Sequence, residues 1–216
     1  MDNYSRMFNK SFDDLIFIQN MQKINDKYVF VFDFDLTLTS KSSDGIIKNL
    51  SNYIELFDSE NKLERLKFYF NKFKLLGYPI YINTRALTSN VNHILKNISI
   101  EVGEDGLVKQ IKGSDRIEQI NVPFNKEELE KYDLTSITDN TVLWGVKKVI
   151  FLNEIKNYEN VLISNIFFFD DCIININTAK VNGYINSFLI GSNDSGLYGL
   201  DFLLIKLNQI MDILNI

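Results

Sequence analysis

Cysteine is almost absent from this chain of 216 residues, which contains only Cys172. One cysteine excludes an intramolecular disulfide and a cysteine-built zinc site, and it suits a reducing compartment. No apolar run approaches the roughly 20 residues of a membrane helix, and the first residues lack the pattern of a signal peptide. We therefore expect a cytoplasmic protein with no membrane span, although secretion without a cleaved signal stays open.

Positive charge is also scarce, because 23 lysines and arginines face 28 aspartates and glutamates, which gives a net charge of −5. This balance disfavours broad electrostatic binding to nucleic acid, so we expect no nucleic acid partner. The sequence is 45% hydrophobic and 24% charged, which is typical of a globular protein with a full core. Its length predicts one domain over residues 1–216, while the oligomeric state is left undetermined.

Apolar strand patterns alternate with helical patterns along the chain, which predicts an α/β fold with a parallel sheet covered by helices on both faces. Residues 98–140 differ, and we expect a small insertion or flap there, with a hairpin at 101–108 and a short helix near 125–132. The predicted strands are 28–33, 78–83, 161–169 and 184–190, and the predicted helices are 10–25, 44–57, 60–76, 85–95, 142–158, 174–181 and 199–214.

The most informative segment is the first strand, which ends abruptly at Asp33, with Asp35 two positions later. Extended chain places alternate side chains on one side, so both carboxylates should project together from the strand's end. Two such charges repel unless a cation or a shared proton intervenes. The carboxyl edge of a parallel sheet is also where α/β proteins bind ligands. The alternative interpretation is an acidic turn that merely ends the strand.

A second apolar strand ends in Asp170 and Asp171, so three or four carboxylates could converge at one edge of the sheet. Oxygen ligands with open positions suit Mg²⁺. Thr84 ends another predicted strand, and Lys147 or Lys148 could supply positive charge. Carboxylates, a hydroxyl, a lysine and a divalent cation together favour phosphoryl transfer, with an aspartate as the nucleophile.

These motifs resemble the four ordered signatures of the haloacid dehalogenase superfamily of phosphohydrolases. Residues 33–39 (DFDLTLT) are similar to its DxDxT motif, and residues 80–84 (IYINT) are similar to its apolar strand ending in threonine or serine. Lys147 or Lys148 matches its lysine, and residues 167–171 (FFFDD) match its terminal acidic motif. The resemblance covers about residues 28 to 190 and implies a Rossmann-like fold.

The resemblance also implies roles for individual residues. Asp33 would attack phosphorus to form an aspartyl phosphate, and Asp35 would protonate the leaving oxygen and then activate water. Mg²⁺ would be held by Asp33, by the main-chain carbonyl of Asp35 and by Asp171, with Asp170 in support. Thr84 and one of the two lysines complete the catalytic set, and Lys148 is slightly favoured over Lys147.

Substrate contacts are assigned to Thr37, Asn83 and Arg85, although a structural salt bridge is an equal alternative for Arg85. The short interval between the first two motifs resembles the capless branch of the superfamily, which includes magnesium-dependent protein phosphatases. A minimal cap implies a phosphorylated protein as substrate. Two alternatives stay open, namely a phosphatase for nucleotides or sugar phosphates and a non-catalytic interaction module.

Overall fold

The computed structural model describes residues 27–43, 53–191 and 199–216. Their core is a five-stranded parallel sheet in the order β3-β2-β1-β4-β5. This arrangement confirms the predicted α/β, Rossmann-like fold class. The strands are β1 (Val29–Phe32), β2 (Ile80–Leu87), β3 (Gln110–Ser114), β4 (Ile166–Asp170) and β5 (Ser187–Leu189).

Helices cover both faces of this sheet, and none in the described part of the chain is long and apolar enough to cross a membrane. They are α1 (Glu60–Leu75), α2 (Thr88–Asn97), α3 (Ile117–Asn121), α4 (Lys126–Lys131), α5 (Asn140–Glu159), α6 (Ile173–Val181) and α7 (Leu200–Leu214).

The central strand β1 shows why its sequence is uninterrupted by polar residues. Phe30 and Phe32 point to one face, where they pack with α1, α2 and α7, whereas Val29 and Val31 point to the other, against α5 and α6. All four side chains are fully buried. A strand covered on both faces has no solvent side, so it lacks polar alternation.

The edge of the sheet differs from the prediction. The hairpin predicted at 101–108 was wrong, because Val102 and Val108 form only one isolated parallel bridge. The chain then enters β3, which pairs in parallel with β2. Thus part of the 98–140 segment belongs to the main sheet.

Other predicted elements also differ in extent, including β5, which is Ser187–Leu189 and not 184–190. Strand β2 continues past Thr84 to Leu87 through an irregular register, so the next helix begins at Thr88. Strand β4 is shorter than predicted because Ile163–Asn165 form a 3₁₀ turn. The helix predicted at 10–25 and most of the one at 44–57 lie outside the described residues, and Tyr53–Phe57 form one 3₁₀ turn.

Candidate active site

The first aspartate of the site follows β1 directly. The main-chain N–H of Asp33 donates to the carbonyl of Phe169 at 2.8 Å, which ties it to β4, and the residue is only 6% exposed. The chain then turns sharply, since Asp35 is extended and Leu36 adopts a left-handed conformation with φ of 58°. This turn places Asp35 on the wall of the same cavity as Asp33.

Lys148 lies at the centre of the carboxylates. It projects from α5, is 1% exposed, and its Nζ donates to Oδ1 of Asp33 at 2.7 Å and to Oδ2 of Asp170 at 2.5 Å. Burial alone would lower the pKa of Lys148, but the adjacent carboxylates outweigh it and the net shift of the pKa is upward. The lysine is therefore a fixed cation within an acidic cluster.

Close helix packing brings this lysine to the sheet. Gly145, one turn before Lys148 on α5, lies against α6, where a Cβ would come within 2.8 Å of Oγ1 of Thr178. Asn83 on β2 donates from Nδ2 to the carbonyl of Lys148 at 3.0 Å. Helix α5 is thus held near Lys148 by its packing against α6 and by the bond from β2.

The two acids after β4 have different surroundings. Asp170 is fully buried, and its Oδ1 accepts bonds from the main-chain N–H of Cys172 and from Nδ2 of Asn175, both at 2.9 Å, while its Oδ2 faces Lys148. Asp171 is half-buried and lines the cavity. Asp171 is therefore the more accessible carboxylate, and Asp170 supports the cluster from behind.

Crowding perturbs both acids. Burial raises the pKa of Asp170 to about 6 despite the opposing effect of Lys148. Burial, followed by the carboxylates of Asp33 and Asp170, raises the pKa of Asp171 to about 7. Burial and mutual repulsion therefore both oppose full ionisation of the cluster.

These residues open into a cavity of about 260 Å³ at the carboxyl edge of the sheet. Arg85 reaches it with a guanidinium that donates to the carbonyl of Ile120 at 3.3 Å and lies 6.0 Å from the ring of Trp144. Acids form one part of the wall and a cation another, which suits an anionic group bound through a metal. The lining residues are Asp33, Asp35, Leu36, Ser42, Thr84, Arg85, Ala86, Ile120 and Asp171.

Five predicted residues are not in that lining; Lys148 and Asp170 lie directly behind it, in contact with Asp33 or with each other, whereas the other three have different positions. Lys147 points away and pairs with Glu128 at 3.0 Å. Asn83 is fully buried and bonds α5 instead of facing the cavity. Thr37 is also fully buried, and its hydroxyl has no hydrogen-bond partner among the described residues. The geometry thus separates the two lysines, and it gives Asn83 a supporting position.

Two further residues belong to the site, although no sequence motif predicts them. Ser43 bonds both carboxylate oxygens of Asp35. Ile120 lies on α3 within the 98–140 segment, and its carbonyl also accepts a bond from Nε1 of Trp144 at 2.9 Å. Neither residue carries a titratable group or a local spacing pattern, so only the three-dimensional arrangement reveals them.

The donor set fits a magnesium ion. Asp33, Asp170 and Asp171 each offer a carboxylate oxygen, and these atoms lie within 4.8 Å of one another. Mg²⁺ prefers oxygen ligands of this kind. When all three carboxylates are ionised, the single ammonium of Lys148 leaves two negative charges in excess, which one divalent cation would neutralise.

The sequence matches no protein-family model and no curated protein. Several solved structures are similar in fold. One is a probable YrbI family phosphatase from Pseudomonas syringae, with 11% identity over 93% of this chain and 91% of that chain and a TM-score of 0.48.

A second is a 3-deoxy-D-manno-octulosonate 8-phosphate phosphatase from Moraxella catarrhalis, solved with magnesium and phosphate ions, with 10% identity, the same coverage of 93% and 91%, and a TM-score of 0.48. A haloacid dehalogenase-like family hydrolase from Streptococcus pneumoniae has 14% identity over 84% of this chain and 91% of that chain, with a TM-score of 0.45. These values are too low to transfer an activity or a residue role.

Proposed function

We propose that this protein is a Mg²⁺-dependent phosphomonoester hydrolase of the haloacid dehalogenase type. The observation that carries the proposal is the fully buried ammonium of Lys148 between Asp33 and Asp170, beside a third carboxylate from Asp171. A purely structural cluster would balance its charges, because buried uncompensated charge is costly. An excess of negative charge that opens into a cavity is instead suited to a cation and a phosphate.

Asp33 is the proposed nucleophile. Its Oδ1 is held by Lys148, so we assign attack to Oδ2. In the first step Oδ2 forms a bond to phosphorus while the bond from phosphorus to the leaving oxygen breaks, and Asp35 gives its proton to that oxygen. In the second step Asp35 takes a proton from water, the water oxygen bonds to phosphorus, and Asp33 is released with phosphate.

Asp33 and Asp171 are the residues that would hold Mg²⁺, with Asp170 behind them. When bound, the ion offsets the repulsion between an anionic nucleophile and an anionic phosphate. Lys148 fixes the orientation of Asp33 before the substrate arrives, and this preorganisation lowers the cost of reaching the transition state. Thr84 and Arg85 lie on the cavity wall, and we assign them to the phosphate oxygens.

The proposed substrate is a small phosphate ester. Ile120 of the 98–140 segment closes one side of the cavity, and its carbonyl is bonded to Arg85 and Trp144. The cavity of about 260 Å³ beside this wall has room for a phosphate with a compact leaving group. A phosphorylated protein is the alternative, in which only the phosphorylated side chain would enter.

A substrate panel tests both parts of this proposal. Purified protein is assayed with sugar phosphates, nucleoside monophosphates, 4-nitrophenyl phosphate and phosphopeptides, each with Mg²⁺ and with excess EDTA, and D33N is the control. We expect Mg²⁺-dependent phosphate release that D33N lacks, with the highest kcat/KM on a small ester. A higher kcat/KM on phosphopeptides would replace the substrate assignment, and hydrolysis unaffected by EDTA would overturn the metal assignment.

A further inference from the structure

Ser43, which no sequence motif identifies, bonds both carboxylate oxygens of Asp35. The main-chain N–H of Ser43 donates to Oδ1 of Asp35 at 2.6 Å, and the Ser43 hydroxyl lies 3.0 Å from Oδ2. Ser43 is only 6% exposed, so water competes little for these bonds. Two bonds to two oxygens fix both the position and the rotation of the carboxylate.

The loop between these residues is itself well anchored. Oγ1 of Thr39 accepts from the main-chain N–H of Leu36 at 3.1 Å and lies 2.7 Å from the carbonyl of Lys41. The N–H of Ser40 donates to the carbonyl of Leu56 at 2.7 Å. Ser43 therefore reaches Asp35 from a loop whose course is set by other contacts.

We infer that Ser43 is the positioning residue of Asp35 and that its hydroxyl makes proton donation to the leaving oxygen efficient. This inference rests on the proposed hydrolase function and adds to it a determinant of leaving-group preference. Ser43 does not touch the reacting atoms in this assignment. It acts only through the carboxylate that it orients.

The two bonds from Ser43 are not equivalent. A main-chain N–H can only donate, whereas a hydroxyl can donate or accept. The N–H therefore fixes Oδ1 as an acceptor, whereas the hydroxyl can orient Oδ2 whether or not Asp35 carries its proton.

A change of leaving group separates this role from a purely structural one. Protonation matters little when the leaving oxygen belongs to 4-nitrophenol, which departs readily as an anion, and matters more for phenol or an alkyl alcohol. Removal of the Ser43 hydroxyl should therefore slow poor leaving groups selectively. A general loosening of the fold would slow all esters alike.

The test compares S43A, S43C and S43T with wild-type protein on 4-nitrophenyl phosphate and phenyl phosphate in Mg²⁺. We expect S43A to lower kcat/KM for phenyl phosphate about 10-fold more than for 4-nitrophenyl phosphate, because kcat/KM reports departure of the leaving oxygen and not the later hydrolysis step that both esters share. S43T, which keeps a hydroxyl, should restore most of the loss. S43C, which keeps the size but donates weakly, should lie between them and serves if S43A does not fold.

The matched control is S40A, since Ser40 lies in the same loop and its hydroxyl has no hydrogen-bond partner among the described residues. S40A should treat both esters as wild-type protein does. Equal losses on the two esters in S43A and S43C, or no rescue by S43T, would overturn the role of Ser43 while the hydrolase stands. Wild-type protein that hydrolyses neither ester nor any other phosphate of the panel would overturn the hydrolase proposal itself.

Discussion

Helix α5 carries a buried charge to each edge of the sheet, and the two edges use that charge differently. Lys148 lies at the carboxyl edge among Asp33, Asp170 and Asp171. Glu159, eleven residues later and therefore about 16 Å further along the helix, lies at the amino edge. One helix thus connects two ionic clusters, one at each end of the strands of the sheet.

The amino edge is a balanced cluster. The carboxylate of Glu159 is 1% exposed and accepts bonds from Lys27 at 2.5 Å, from Lys109 at 3.0 Å and from the hydroxyl of Tyr81. Lys109 also pairs with Glu104 at 3.1 Å. Every charge there has an opposite partner, so the cluster needs no further ligand.

The carboxyl edge is an unbalanced cluster, with three carboxylates around one ammonium. Burial of charge alone does not identify a functional site, because both edges bury charge. The sign and size of the uncompensated charge, together with an adjoining cavity, distinguish the site from the structural network.

The largest effect is expected for D33N, because the nucleophile is lost while its shape is kept. Turnover should fall by about 10⁴-fold or more, and the melting temperature should change little. Steady-state kinetics and thermal denaturation check the two halves of the prediction. Wild-type turnover in D33N would place the nucleophile elsewhere.

The next effect compares K148M with E159Q, which remove the charge that α5 supplies to each edge. K148M leaves buried carboxylates without their cation, so we expect a loss of about 3–5 kcal/mol in the free energy of unfolding together with loss of activity. E159Q keeps hydrogen-bonding capacity and leaves lysines that reach water, so a loss of about 1–3 kcal/mol is expected, with activity retained.

Urea denaturation measures the free energies of unfolding of both variants, and the phosphatase assay measures their turnover. Loss of turnover in a fully folded E159Q would mean that the amino edge is not merely structural. If K148M kept full activity and were destabilised no more than E159Q, the carboxyl edge would not be the functional one.

A smaller effect is expected for D171N, the most accessible of the three acids. Removal of one charge should weaken Mg²⁺ binding by about 10–100-fold and raise the melting temperature of the metal-free protein, because repulsion falls. Wild-type protein should be stabilised by added Mg²⁺, whereas D171N should need a higher concentration. Equal stabilisation of both proteins at the same Mg²⁺ concentration would exclude Asp171 as a ligand.

The smallest expected effect is the pH dependence of stability, which has opposite signs at the two edges. The pKa of Asp171 is raised from 3.8 to about 7, so the folded state binds a proton more tightly and stability falls as pH rises through that interval. Burial alone would raise the pKa of Glu159, but bonds from Lys27, Tyr81 and Lys109 outweigh it and the pKa is lowered. Its contribution is present above pH 4.5, the usual pKa, and is lost as pH falls below it.

Melting temperatures in EDTA between about pH 2.5 and pH 8 check both signs. D171N should flatten the decline towards neutral pH, and E159Q should flatten the decline on the acid side. If either variant changes the opposite limb, the assignment of that limb to its edge is wrong.

The fold and the acidic residues were predictable because their signals are local. A run of apolar residues that ends in Asp33 or in Asp170 marks both a buried strand and its carboxyl edge, and the parallel sheet brings those ends together. The local sequence could not distinguish Lys147 from Lys148, since both lie four residues before an apolar residue of the same helix. The pairing of Lys147 with Glu128 makes that distinction.

Other features gave no readable signal. Strand β3 contains a single apolar residue, Ile111, because it lies at the edge of the sheet, so its sequence resembles a loop. A deletion of residues 103–113 would therefore remove most of a strand and cannot serve as a clean test of a flap. Ser43 is eight residues from Asp35, and their contact depends on the left-handed turn at Leu36, which has no glycine to announce it.

Covalent catalysis by Asp33 is tested most directly by trapping of the phosphorylated enzyme. Protein that is turning over a phosphate ester in Mg²⁺ is quenched and reduced with tritiated borohydride, which converts an acyl phosphate into an alcohol, and labelled peptides are identified by mass spectrometry. We predict homoserine at position 33 in wild-type protein and no label in D33N. Label at another carboxylate, or ester hydrolysis with no label at all, would contradict the account.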